Sequence, residues 1–143
     1  MGNTVSPMIL QFAGSLIAIL LLAWLARKLG LGGAPRLDTH SAVLDAAREA
    51  VDGFEPAGAA CDSDGRAALA RDHAGQIMVL KPHGSRVAGR ILGPSASASL
   101  QSGGDGPVLT VDCGERTFGT VSLSLPHAQT FDAQTWADAI NAL

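Results

Sequence analysis

VLTVDCGERTFGTVSLSL, residues 108–125, carries the period of a half-buried β-sheet twice over. Leu109, Val111 and Cys113 alternate with Thr110 and Asp112, and Val121, Leu123 and Leu125 alternate with Thr120, Ser122 and Ser124. Phe118 falls out of phase with Val121, so the spacing predicts a bulge at Gly119 inside one strand running from Arg116 to Leu125. Working backward, Ala67–Arg71, Gln76–Lys81, Arg86–Leu92 and Ser97–Gln101 read as further strands, ahead of Val108–Cys113. The turns between them are short. Parallel neighbours need crossovers of a dozen or more residues, so the sheet is expected to be antiparallel.

Helical spacing flanks this run on both sides. SAVLDAAREAVD, residues 41–52, sets Val43, Ala47, Ala50 and Val51 on one side, with Phe54 beyond and Asp38, Thr39 or Ser41 as candidate caps. The following EPAGAACDSDGR mixes turn formers, and Asp64-Gly65 marks a hairpin turn. At the other end, FDAQTWADAINAL places Ala133, Trp136, Ala137, Ile140 and Leu143 on one stripe, with Asp132 as candidate cap. A helix this short needs a surface to dock on, and the sheet provides it.

The first 26 of the 143 residues carry no charged side chain. Met8 to Ala26 reads MILQFAGSLIAILLLAWLA, long enough at about 1.5 Å per residue to cross a hydrocarbon core about 30 Å thick. Trp24, Arg27 and Lys28 stand where interfacial anchors are expected, and positive charge lies only after the span, which predicts an outer N-terminus and a cytoplasmic C-terminal domain. A cleaved signal peptide is the rival. It requires a positive leader and small residues before the cut, whereas this leader is uncharged and cleavage after Ala26 puts Trp24 at the −3 position. Gly14 and Ala18 form a small pair one turn apart, suited to close helix packing or, equally, to none. Residues 1–29 thus read as an anchor, 30–36 as a Gly/Pro tether and 37–143 as one soluble domain. The expected class is α+β: a transmembrane helix, then a small antiparallel β-sandwich or barrel with a short helix before it and a capping helix at its C-terminus.

Short antiparallel strands closed by a C-terminal helix, with Trp136 followed by Ile140 in TWADAINAL, resemble pleckstrin-homology-like domains. The resemblance covers roughly Ala67 to Leu143 and implies a curved sandwich of seven strands, one open end of which the helix plugs. Six strands are visible. It therefore implies one more, between Ser95 and Asp105 or from splitting the last run at Gly119. The whole chain also looks like small single-pass proteins of alphaproteobacteria that carry a DGRAAL-type segment, a likeness that implies no mechanism.

A formal charge of −3 argues against a nucleic-acid binder. Cys61, expected in a loop, and Cys113, expected buried, cannot form a disulfide-dense scaffold, and neither has a base beside it in sequence. His40, His73, His83 and His127 lack metal-ligand spacing, and DSDG at 62–65 begins like a calcium loop but meets His73 at its twelfth position. No nucleophile elbow or phosphate loop occurs. The reading is therefore non-enzymatic, with no catalytic residue, cofactor or metal.

The remaining candidate is basic. Lys81, His83, Arg86 and Arg90 cluster on adjacent strands, Arg86 and Arg90 share a parity, and Val87 and Ile91 are expected inward. This weakly resembles the first-hairpin arrangement with which some pleckstrin-homology domains grip phosphoinositides, which implies anionic-lipid contact by Lys81, Arg86 and Arg90. The function expected first is a membrane-tethered cytoplasmic module that recruits or steadies a protein partner at a bacterial inner membrane. The alternatives are an accessory subunit of a large respiratory, photosynthetic or secretory complex, and a sensor of anionic lipid or a small ligand.

Overall fold

The computed structural model describes residues 6–31, 33–125 and 130–143. Its elements are α1 (Pro7–Lys28), α2 (His40–Ala50), β1 (Pro56–Cys61), β2 (Ala68–Asp72), β3 (Ile77–His83), β4 (Arg86–Ile91), β5 (Ser97–Gly103), β6 (Gly106–Asp112), β7 (Thr120–Ser124) and α3 (Thr130–Asn141). They fall into two units, Met1–Gly33 and Ala34–Leu143.

The first unit is α1. Proline opens it, where a missing N–H costs nothing, and Arg27 and Lys28 occupy its last turn. Apart from Gln11, Ser15, Arg27 and Lys28, its 22 residues spread apolar side chains around the whole circumference, and none is buried. It is long and apolar enough to cross a membrane.

The second unit is α+β. Strands β1-β2-β3-β4 form one antiparallel sheet and β5-β6-β7 another, each strand pairing with its neighbour in sequence. The two sheets share a core in which Leu69, Ile77 and Val79 from the first meet Leu109, Val111 and Leu123 from the second, while α3 adds Ala133, Ala137 and Ile140. The opposite face of the first sheet is buried as well. There Ala68, Ala70, Met78 and Leu80 lie beneath Val43 and Ala47 of α2, with Leu37 and Phe54. Strands covered on both faces read as unbroken apolar runs, which is why AALA at 67–70 and IMVL at 77–80 do not alternate.

The two antiparallel sheets and flanking helices agree with the expected α+β class, while finer expectations change. The strand count rises to seven through β1, which lies in neither place offered for it but in EPAGAAC, a stretch of turn formers and small residues. Its backbone pairs with β2 over Gly58–Cys61 after a register shift at Pro56/Gly58, so pairing overrides its weak strand propensity. Cys61 therefore closes a strand and is not in a loop. The final strand spans only Thr120–Ser124. Residues 114–119 form a turn, in which Gly119 N–H donates to Glu115 O at 2.9 Å and Cys113 N–H donates to Gly119 O at 3.2 Å, so Gly119 ends a loop instead of bulging a strand. Thr39 is the cap of α2, its hydroxyl accepting from Ala42 N–H at 3.3 Å. Helix α3 opens at Thr130, two residues ahead of the expected cap Asp132, whose side chain lies outside the described residues, as does His127. Asp64-Gly65 does turn the chain between β1 and β2, as read.

Candidate functional site

Each strand sends alternate side chains to opposite faces. On β3 the series Ile77, Val79, Lys81, His83 lies on the face toward the second sheet, and the register Val79↔Arg90, Lys81↔Ala88, His83↔Arg86 places both arginines there too. Val87 and Ile91 turn the other way and pack on the core beneath α2. Two inward directions exist in this sheet. Lys81 and Arg90 thus stand at one end of the space between the sheets rather than on an outer wall.

The 114–119 turn closes over that end. Lys81 Nζ donates to Phe118 O at 2.7 Å and stands 4.3 Å from the centre of the Phe118 ring, combining a charge-assisted hydrogen bond with a cation–π contact. Arg90 Nη2 lies 2.6 Å from both carboxylate oxygens of Glu115, which favours its charged form. The turn is seated tightly, since a Cβ on Gly114 would collide with Ser95. Of the three residues implied in lipid contact, Lys81 and Arg90 are held by this turn. Arg86 makes no ion pair among the described residues and is exposed. It borders an open groove of about 560 Å³ with Pro35, Arg36, Asp45, Glu49 and Val87, where acidic and basic side chains are mixed.

The cysteines are quiet. Burial raises both thiols above their ordinary value, helped at Cys61 by Asp38 and at Cys113 by Asp112, so neither is a ready thiolate. Among the described residues no three His, Cys, Asp or Glu side chains come together to hold a metal.

A second polar feature escaped the sequence reading. Asn141, in the last turn of α3, grips the backbone of Ala98 in β5: its Oδ1 accepts from Ala98 N–H at 2.8 Å and its Nδ2 donates to Ala98 O at 2.9 Å. The amide imitates a neighbouring strand. An asparagine next to an apolar stripe carries no such signal in spacing; Glu115 reads as part of a plain turn and Phe118 as a residue of the last strand, so neither announces a basic partner.

Within the first unit, Trp24 and Lys28 are one turn apart, with Lys28 Nζ 5.0 Å from the indole centre. Arg27 sits beside Lys28. Gly14 and Ala18 lie one turn apart on an exposed face, and nothing approaches within 4 Å of where a Gly14 Cβ would stand. Ser15 spends its hydroxyl on Gln11 O at 3.0 Å, as serines in apolar helices do.

Comparison with protein-family models, with curated proteins and with solved structures found no match to this chain.

Proposed function

We propose that this protein is a non-enzymatic, membrane-tethered interaction module: α1 anchors it in a bacterial inner membrane and the 34–143 unit works in the cytoplasm, recruiting or steadying a protein partner. The carrying observation is α1 itself, with apolar side chains on every side and none of its residues buried, a surface suited to a bilayer rather than to water. Arg27 and Lys28 after it, with no charge before it, support the cytoplasmic orientation. A pleckstrin-homology-like fold for the second unit is supported by seven antiparallel strands in sequential order, followed by a helix that packs into the shared core.

A protein partner is favoured over an anionic lipid because two of the three basic side chains are already engaged by Phe118 and Glu115. An open strand edge is the place for such a partner, and tethering raises the effective concentration of even a weak contact. The test is isolation of the tagged full-length chain from gently solubilised membranes. A stoichiometric protein that releases on dilution supports recruitment. Permanent co-migration with one large complex on a native gel replaces it with an accessory-subunit role, and a chain recovered alone contradicts both.

A further inference from the structure

Two open sheets present four edge strands, β1, β4, β5 and β7, and three of them are blunted. β1 opens on a proline and carries a register shift. β4 bears Arg86 and Arg90. The end of β7 meets the β1–β2 turn through Ser124, Asp62 and Ser63. β5, reading SASLQSG from Ser97 to Gly103, has no charge and no proline and pairs with β6 in unbroken register. An uncharged edge in unbroken register is the kind that accepts another strand.

The Asn141 clamp shows which backbone groups lie open. Because Ala98 gives both its N–H and its C=O to Asn141, its backbone faces away from β6. With a period of two, Leu100 and Ser102 face the same way. Pro107 agrees with this phase: it stands opposite Ser102, has no N–H to offer β5, and its carbonyl accepts from Leu125 N–H at 3.0 Å. Asn141 covers the first of the three outward residues. Among the described residues, no hydrogen bond on that side reaches the backbone of Leu100 or Ser102.

We infer that β5 pairs antiparallel with β5 of a second copy about a twofold axis at Gln101. Only one register engages both outward residues of each copy: Leu100 opposite the second copy's Ser102, and Ser102 opposite its Leu100, giving four backbone hydrogen bonds. In that register Ala98 falls opposite the second copy's Gly104, beyond the end of β5, so the Asn141 clamp stays intact. Gln101 meets Gln101. An amide carries donors and an acceptor, so the pair is complementary to itself across the axis. That symmetry selects a second copy over an unrelated strand. The pairing belongs to the 34–143 unit and does not rest on the proposed function, although confinement on a membrane would strengthen it.

Cysteine capture in the full-length chain, reconstituted in phosphatidylcholine vesicles, tests this register. Paired Gln101 residues occupy a non-hydrogen-bonded site with Cα atoms about 4.5 Å apart, within disulfide range. Ser99 residues of two such copies lie roughly 13 Å apart along the strands. Under mild oxidant Gln101→Cys is expected to give a disulfide dimer about tenfold faster than Ser99→Cys, above the background of the unsubstituted chain with its own Cys61 and Cys113. Equal rates at 99 and 101, or no dimer at 101, overturn the inference. Gln101→Lys, which sets like charges face to face, is expected to weaken the dimer about fivefold in detergent sedimentation. An unchanged dissociation constant also overturns it.

Discussion

Asp62 and Ser124, 62 positions apart, are joined by a 2.8 Å hydrogen bond from the Ser124 N–H to the Asp62 carboxylate. The other carboxylate oxygen accepts from Arg66 N–H at 3.2 Å, and Ser63 N–H donates to Ser124 O at 2.9 Å. One buried acid therefore shapes the β1–β2 turn and fastens it to the last strand of the other sheet.

Replacing Asp62 with Ala leaves two part-buried backbone donors without their acceptor. Asp62→Ala is expected to lower unfolding free energy by about 2–3 kcal/mol, and Asp62→Asn by less, since one acceptor oxygen remains. Urea denaturation of the full chain in mild detergent, followed by fluorescence, measures it. Equal losses for the two variants would show that acceptor geometry at this point is unimportant.

At Gly89 the sheet lies tight against α2: a Cβ there would stand 2.7 Å from Ala50 Cβ, 2.8 Å from Met78 Sδ and 3.1 Å from Leu80 Cδ2. Gly89→Val should cost about 1–3 kcal/mol through overpacking and loosen α2 first. Faster proteolysis between Leu37 and Phe54, with the rest of the unit intact, is the expected pattern. Cleavage spread evenly through the unit would contradict it.

The 114–119 turn is held by Lys81. Lys81→Met keeps the apolar stem while removing the bond to Phe118 O and the cation over its ring. About 1 kcal/mol of stability should be lost, together with faster amide exchange confined to residues 114–119. Unchanged exchange in the turn would mean that Gly114 and Phe118 seat it unaided.

The thiols give a pH dependence with a definite sign. Cys113 is raised chiefly by burial and then by Asp112, so the folded chain holds this proton more tightly than the unfolded one. Its contribution is complete below the unfolded thiol value of about 8.5 and is lost as pH rises through the higher folded value. Stability should therefore fall on the alkaline side of neutrality, and Cys113→Ala should flatten that fall relative to its own lower baseline. Alkylation by iodoacetamide at pH 8 should be slow until denaturant is added. Prompt modification of Cys113 in the folded chain would refute its placement.

Most of this architecture is written in periodicity. β6 and β7 alternate because one face is core and the other solvent, and α2 and α3 show apolar stripes because each docks on one side. What periodicity hid has physical causes. β1 is built of Ala, Gly and Cys, whose small side chains carry no strand signature, and only its pairing with β2 makes it a strand. The second core beneath α2 was invisible because IMVL at 77–80 announces burial without saying how many surfaces cover it. The basic cluster was legible as residues but not as a state. Lys81 finds its partner 37 positions away and Arg90 finds its own 25 positions away, distances over which sequence spacing says nothing.

The proposed function depends most on α1 remaining attached, with the folded unit inside the cell. Protease added to intact spheroplasts expressing the full chain with a C-terminal tag measures this directly. A tagged chain of full length that stays in the membrane pellet, resists digestion, and is degraded only after the membrane is opened is the predicted result. Digestion of the tag from outside, or a mature chain starting after Ala26, would contradict it.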